Sequence, residues 1–135
     1  MTRVALDTSA AVPLLLKGHH DHDRLRVAVG GLQISLTGHS LAETYSVLTR
    51  LPGDARVGPS DAARLLSAGF LPALLIDATV AANLPTLLAT AGISGGAVYD
   101  ALVGLAIVGT GATLLTRDQR AASTYAALGI AFDFV

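Results

Sequence analysis

Four acidic side chains stand where apolar runs give way to helical patterns. Asp7 follows Val4-Ala5-Leu6, Glu43 follows the alternating stretch Leu32 to Leu36, Asp100 lies early in a nearly all-apolar segment, and Asp118 comes three residues after Ala112 to Leu115. Three of them have an ordinary structural use, and Asp118 can serve as the cap of the helix that follows it. Asp, Thr and Ser are all good helix N-caps, so Asp7-Thr8-Ser9 can simply open a helix, and Ser40-x-x-Glu43 matches a capping box in which Glu43 folds back onto the Ser40 amide. Asp100 is harder to place in this way. An unpaired ion in apolar surroundings costs roughly several kcal/mol to desolvate, whereas a helix N-terminus returns only about 0.3–1 kcal/mol. No Lys or Arg lies within one helical turn of it. Asp100 needs a partner from elsewhere in the fold, a bound cation, or a proton, and with no base on its own helix the cation is favoured. Carboxylates gathered in one place repel one another, so their cluster requires compensating positive charge. Oxygen-only ligands without cysteine suit Mg²⁺ or Mn²⁺.

The elements that must position these groups follow from hydrophobic period. Strands are predicted at Val4 to Leu6, Leu32 to Leu36, Ala73 to Ile76, Ala112 to Leu115 and Ile130 to Val135. Helices are predicted at Ala10 to Lys17, Arg24 to Val29, within Thr37 to Leu51, Ser60 to Gly69, Asp77 to Ala91 with a kink or break at Pro85, Ala97 to Val108, and Gln119 to Leu128 closed by Gly129. This alternation, with short connections, predicts one α/β domain over residues 1–135: a three-layer α/β/α fold with a parallel sheet of about five strands. In such a sheet the carboxyl ends of the strands converge on a ligand crevice, where all four acids would lie. Asp77 repeats the strand-to-helix placement of Asp7, but nothing beside it supports chemistry and it reads as an N-cap.

The chain has 135 residues and is 52% apolar, with a mean hydropathy of +0.59. The longest weakly polar run, Ala101 to Leu115, is too short and too glycine-rich to span a membrane, and Asp7 interrupts any signal-peptide core. A soluble cytoplasmic chain that buries apolar surface against a partner, or against a second copy of itself, is expected. Cysteine is absent, which excludes disulfides, zinc–thiolate sites and thiol nucleophiles. A net charge of −1 excludes a global electrostatic footprint for nucleic acid. Gly18-His19-His20-Asp21-His22-Asp23 has the residue types of a metal site, yet it reads more simply as a solvated loop in which Asp21 or Asp23 caps the next helix.

Leu6-Asp7-Thr8-Ser9-Ala10, Ser40-Leu41-Ala42-Glu43-Thr44, Tyr99-Asp100-Ala101-Leu102 and Leu115-Thr116-Arg117-Asp118 together resemble the four acidic motifs of the PIN domain, in order and over essentially the whole chain. The closest likeness is to VapC-type toxins of bacterial toxin–antitoxin pairs. The resemblance implies a Mg²⁺- or Mn²⁺-dependent endoribonuclease. Asp7 and Asp100 would be the direct metal ligands, with Glu43 and Asp118 completing the acidic site through water or a second ion, and Thr116 would be the hydroxyl that orients the cluster. It also implies an RNA substrate, a cognate antitoxin lying over the apolar helices, and a homodimer. Contacts to an RNA backbone would have to come from Arg50, Arg56 or Arg117, by their position in the chain. Receiver-domain and phosphatase readings lack support: Thr8-Ser9 follows Asp7 where a second Asp would stand, the one Lys is Lys17, and Gly109-Thr110-Gly111 precedes a strand. The alternative of another class is a non-catalytic PIN-like module that binds protein or RNA, against which the intact acids argue.

Overall fold

A computed structural model describes residues 2–135. Five strands, β1 (Arg3–Leu6), β2 (Gln33–Thr37), β3 (Leu71–Leu74), β4 (Thr113–Thr116) and β5 (Phe132–Phe134), form one sheet in the order β3-β2-β1-β4-β5. Every pairing is parallel. The helices are α1 (Thr8–Leu15), α2 (His22–Val29), α3 (Gly38–Thr49), α4 (Pro59–Gly69), α5 (Ala78–Ala82), α6 (Leu84–Thr90), α7 (Ala97–Leu105) and α8 (Gln119–Ala127). Among the described residues no helix is long and apolar enough to cross a membrane.

Alternation along the strands builds the layers, because successive side chains leave opposite faces. Val4, Leu6, Leu36 and Leu115 pack with Ala10, Ala11, Leu25, Leu48 and Leu66 of α1 to α4. Ala5 and Leu114 point the other way, onto Val103, Ala121 and Tyr125 of α7 and α8. The predicted α/β/α sandwich is thus observed, with β1 buried at its centre.

Several boundaries differ from expectation for local reasons. β3 lies two residues earlier than predicted, at the sheet edge, where Pro72 is tolerated and the register with β2 shifts between Ser35 and Thr37. Of the kink or break expected at Pro85, the segment from Asp77 to Ala91 shows the break, two residues early: α5 ends at Ala82 with Asn83 as its C-cap, and Pro85 opens α6 in its first turn. The helix from Ala97 stops at Leu105, and the chain then winds through turns to Gly109, whose φ of 77° reverses it toward β4.

The strand order reverses between β1 and β4. β1 is followed by its neighbour on one side, whereas the later β4 adds on the other, and this switch point opens a crevice at the strand ends. The Asp7 amide donates to Leu115 O at 3.2 Å and stitches the two strands there.

Candidate active site

Asp7, Glu43, Asp100 and Asp118 all line one open cleft of about 480 Å³ at this switch point, together with Ser9, His19, Arg117 and Tyr125. Asp7 is both cap and site residue. It is 5% exposed. Its Oδ1 accepts from the Ser9 hydroxyl at 2.6 Å and from the Ala10 amide at 3.3 Å, while Oδ2 accepts from the Tyr125 hydroxyl at 2.9 Å. Burial pushes the Asp7 carboxyl above its ordinary range, against the hydrogen bonds of Ser9, Thr116, Tyr125 and Ala10 that favour its ionised form. Tyr125 is fully buried, and burial and the Asp7 charge push its phenol far above the usual value, so it acts as a fixed donor. Sequence reasoning missed Tyr125, which is separated from Asp7 by most of the chain. Its only local signal is an aromatic residue in the alanine-rich helix α8.

Glu43 is released for the cleft by a different cap from the one predicted. α3 starts at Gly38, and the capping box is Thr37 with Ser40: the Ser40 amide donates to Thr37 Oγ1 at 3.1 Å and the Thr37 amide to Ser40 Oγ at 2.9 Å. Because helix entry comes earlier than the Ser40-x-x-Glu43 pattern suggests, Glu43 lies beyond the orphan amides and meets His39 at 3.1 Å instead. Ser40 Oγ also donates to Leu6 O at 3.0 Å, which fastens α3 to the end of β1 beside Asp7.

Asp100 lies in the first turn of α7. Burial raises its carboxyl first, and the like charges of Asp118, Asp7 and Glu43 raise it further, with His39 opposing. The four groups therefore share one electrostatic field. Asp118 caps α8, with its Oδ1 accepting from the amides of Arg120 at 2.9 Å and Ala121 at 3.4 Å. Thr116 is fully buried beneath the cleft rather than lining it; its Oγ1 accepts from the Asp118 amide at 3.1 Å and lies 3.4 Å from Ser9 Oγ. Asp77 is absent from the cleft lining and caps α5 through the Thr79 amide at 2.9 Å.

The donor set fits a hard divalent ion. Among the described residues no Lys or Arg pairs with any of the four carboxylates, and the single ionic neighbour is His39 beside Glu43. Carboxylate oxygens with no nitrogen or sulfur donor suit a hard ion such as Mg²⁺, which keeps part of its water shell.

The His/Asp loop is less solvated than expected. His22 is buried, with Nδ1 3.0 Å from Pro13 O, and His19 lines the cleft. Asp21 makes no side-chain cap to α2, because its carboxylate is engaged by Arg117 and by His20 at 3.0 Å. Of the three arginines singled out, Arg117 reaches the cleft, whereas Arg50 bonds Ser46 and Arg56 bonds Leu51 O.

The PIN domain family model matches residues 4–127. Over 127 residues the chain is 50% identical to Ribonuclease VapC27 of Mycobacterium tuberculosis (strain ATCC 25618 / H37Rv), covering 94% of this chain and 93% of that protein. It is 39% identical over 138 residues to Ribonuclease VapC40 of the same strain, covering 98% of each. Its fold is similar to that in the crystal structure of VapBC2 from Rickettsia felis bound to a promoter DNA fragment, with a TM-score of 0.66 at 16% identity over 99% of each chain. It is also similar to that of VapBC-5 from Mycobacterium tuberculosis, with a TM-score of 0.57 at 18% identity over 100% of this chain and 98% of that one. With the acidic cleft at the switch point of a five-stranded parallel sheet, the chain belongs to the PIN domain family and, within it, to the VapC proteins.

Proposed function

We propose that this protein is a Mg²⁺- or Mn²⁺-dependent endoribonuclease and the toxin of a type II toxin–antitoxin pair. The observation that carries the reading is the convergence of four carboxylates, from four separate segments, on one cleft with no Lys or Arg partner among the described residues. The similarity to proteins named ribonucleases supports the RNA substrate, and the similarity to VapBC complexes supports a cognate antitoxin. Asp7 and Asp100 would hold the ion directly, and Glu43 and Asp118 would complete its surroundings. A divalent ion there supplies a lowered pKa for water and neutralises charge on the phosphate oxygens. The chain's own part is to hold the ligands still. Tyr125 and Ser9 fix the plane of the Asp7 carboxylate, Thr116 and the first α8 amides fix Asp118, and Ser40 locks the helix carrying Glu43 to β1. An acidic cleft repels RNA, so cation binding is also a condition of substrate binding.

Large apolar side chains left on the surface support partner faces for an antitoxin and for a second copy of the chain: Val27, Leu75, Tyr99, Val108 and Phe134 are each more than half exposed. A soluble cytoplasmic protein follows from the same reading. The test is Asp7→Asn and Asp100→Asn. Both variants should keep the far-ultraviolet circular dichroism of the wild type and lose Mn²⁺-stimulated cleavage of total RNA. Full activity in either variant overturns the site. Retained antitoxin binding with no metal-stimulated cleavage by the wild type would favour the non-catalytic binding module.

A further inference from the structure

Among the described residues Arg117 is the one Lys or Arg lining the acidic cleft, yet it pairs with none of the four carboxylates. Its backbone is pinned to the cleft floor: the Arg117 amide donates to Ser9 Oγ at 2.8 Å, and the same hydroxyl donates to Asp7 at 2.6 Å. Its side chain turns away from that floor, and Nη2 donates to Asp21 Oδ2 in the loop between α1 and α2. The pair is shielded, with the Arg117 side chain 24% and the Asp21 side chain 17% exposed. Asp21 is itself held in place, by His20 Nε2 at 3.0 Å and through its amide, which donates to His19 Nδ1 at 3.1 Å.

The choice of partner runs against the local charge. A guanidinium at the edge of four carboxylates is drawn toward the larger negative charge. Its planar fork of donors suits a carboxylate well enough to compete with a cation for the same oxygens. A single carboxylate on the opposite rim offsets that pull by contact at short range. We infer that Asp21 is a positioning residue that parks Arg117 on the rim of the cleft and so keeps the four carboxylates free for a divalent ion. This rests on the metal-dependent reading above and adds a residue to it from a loop that carries none of the four acids. Asp21 touches neither ion nor RNA in this arrangement; it acts through Arg117.

Calorimetric titration with Mn²⁺ alone tests it, on wild type, Asp21→Asn, Arg117→Gln and the double variant. Release of a partly screened ion pair predicts an affinity about fivefold weaker for Asp21→Asn. Arg117→Gln should match or exceed wild type, and the double variant should return to wild-type affinity because no guanidinium remains to compete. A merely structural role for Asp21 would leave the double variant as weak as Asp21→Asn, and that result overturns the inference. So does wild-type affinity in Asp21→Asn. Circular dichroism of each variant, and Asp21→Glu as a charge-preserving control with near wild-type affinity, separate parking from misfolding. If wild type itself takes up no Mn²⁺, the metal reading fails first, and that outcome is distinct from one in which wild type binds and Asp21→Asn binds equally.

Discussion

Removing the Tyr125 hydroxyl isolates a single bond in the site. Tyr125→Phe keeps the volume of a fully buried ring and deletes one donor, which lies 2.9 Å from Asp7 Oδ2. A hydrogen bond to an ionised group is worth about 1.5–3 kcal/mol, against about 0.5–1.5 kcal/mol for a neutral one. For 135 residues, about 2.1 cal/mol/K per residue makes the unfolding entropy about 0.28 kcal/mol/K, so Tm should fall by about 5–10 °C where Asp7 is charged. The loss must also depend on pH in one direction. Tyr125 is among the bonds that lower the Asp7 carboxyl, so its removal raises that carboxyl further. The stability gap between wild type and variant is therefore small in acid, widens as pH rises through the wild-type Asp7 value, and levels off above the variant's value. Thermal unfolding of both proteins in EDTA, from mild acid to neutral pH, reads this directly. A gap that is constant with pH, or larger in acid, would refute a charge-assisted bond between Tyr125 and Asp7.

Other perturbations follow from the same geometry. Burial holds Asp7 above the ordinary carboxyl value of 3.8, and burial with the like charges of its neighbours holds Asp100 above it. The folded metal-free chain therefore keeps protons that the unfolded chain has lost. Its extra stability is fully present below that value and is lost as pH rises through the raised ones. Urea midpoints should decline over that window, and Asp100→Asn should flatten the decline. Asp77→Ala removes a cap that serves no cleft, so it should cost about 0.5–2 kcal/mol in urea unfolding and leave the Mn²⁺-induced rise in Tm as large as in wild type. Gly104→Ala would place a Cβ 3.1 Å from Ile130 Cγ1 and 3.2 Å from Tyr125 Cδ1. Both neighbours are buried and have little room to give way, so overpacking of about 1–3 kcal/mol should outweigh the roughly 0.5–1 kcal/mol that Ala gains over Gly inside a helix, and calorimetric unfolding should show a net loss.

The order of strands and helices was legible because apolar runs such as Val4 to Leu6 and Leu114-Leu115 are buried on both faces and carry no competing pattern. Asp100 was legible for the opposite reason: a carboxylate among apolar neighbours demands an explanation. What stayed hidden depends on distance in the chain or on a competition between local rules. The Thr37–Ser40 box competes with the Ser40-x-x-Glu43 pattern, and it is favoured because β2 delivers Thr37 to the helix entry. Tyr125 and Asp21 act on Asp7 and Arg117 from remote segments, and no local spacing announces such contacts. The helix from Ala97 ends at Leu105 although the apolar run continues to Val108, so periodicity does not register where it stops.

The position of β1 at the centre of the sheet gives the cleft a history. One edge of β1 meets β2 after a short crossover, with Val4 beside Ile34; the other edge waits for β4, with Val4 beside Thr113. Pairings remote in the chain form late, because a long loop must close before any contact compensates it. On this reasoning Asp7 and Glu43 should come together first, and Asp100 and Asp118 with the second half. Charge repulsion would then be met only at that final docking. An ion seated across the cleft then works as a bolt between halves made at different times: it should slow unfolding while leaving the refolding rate nearly unchanged.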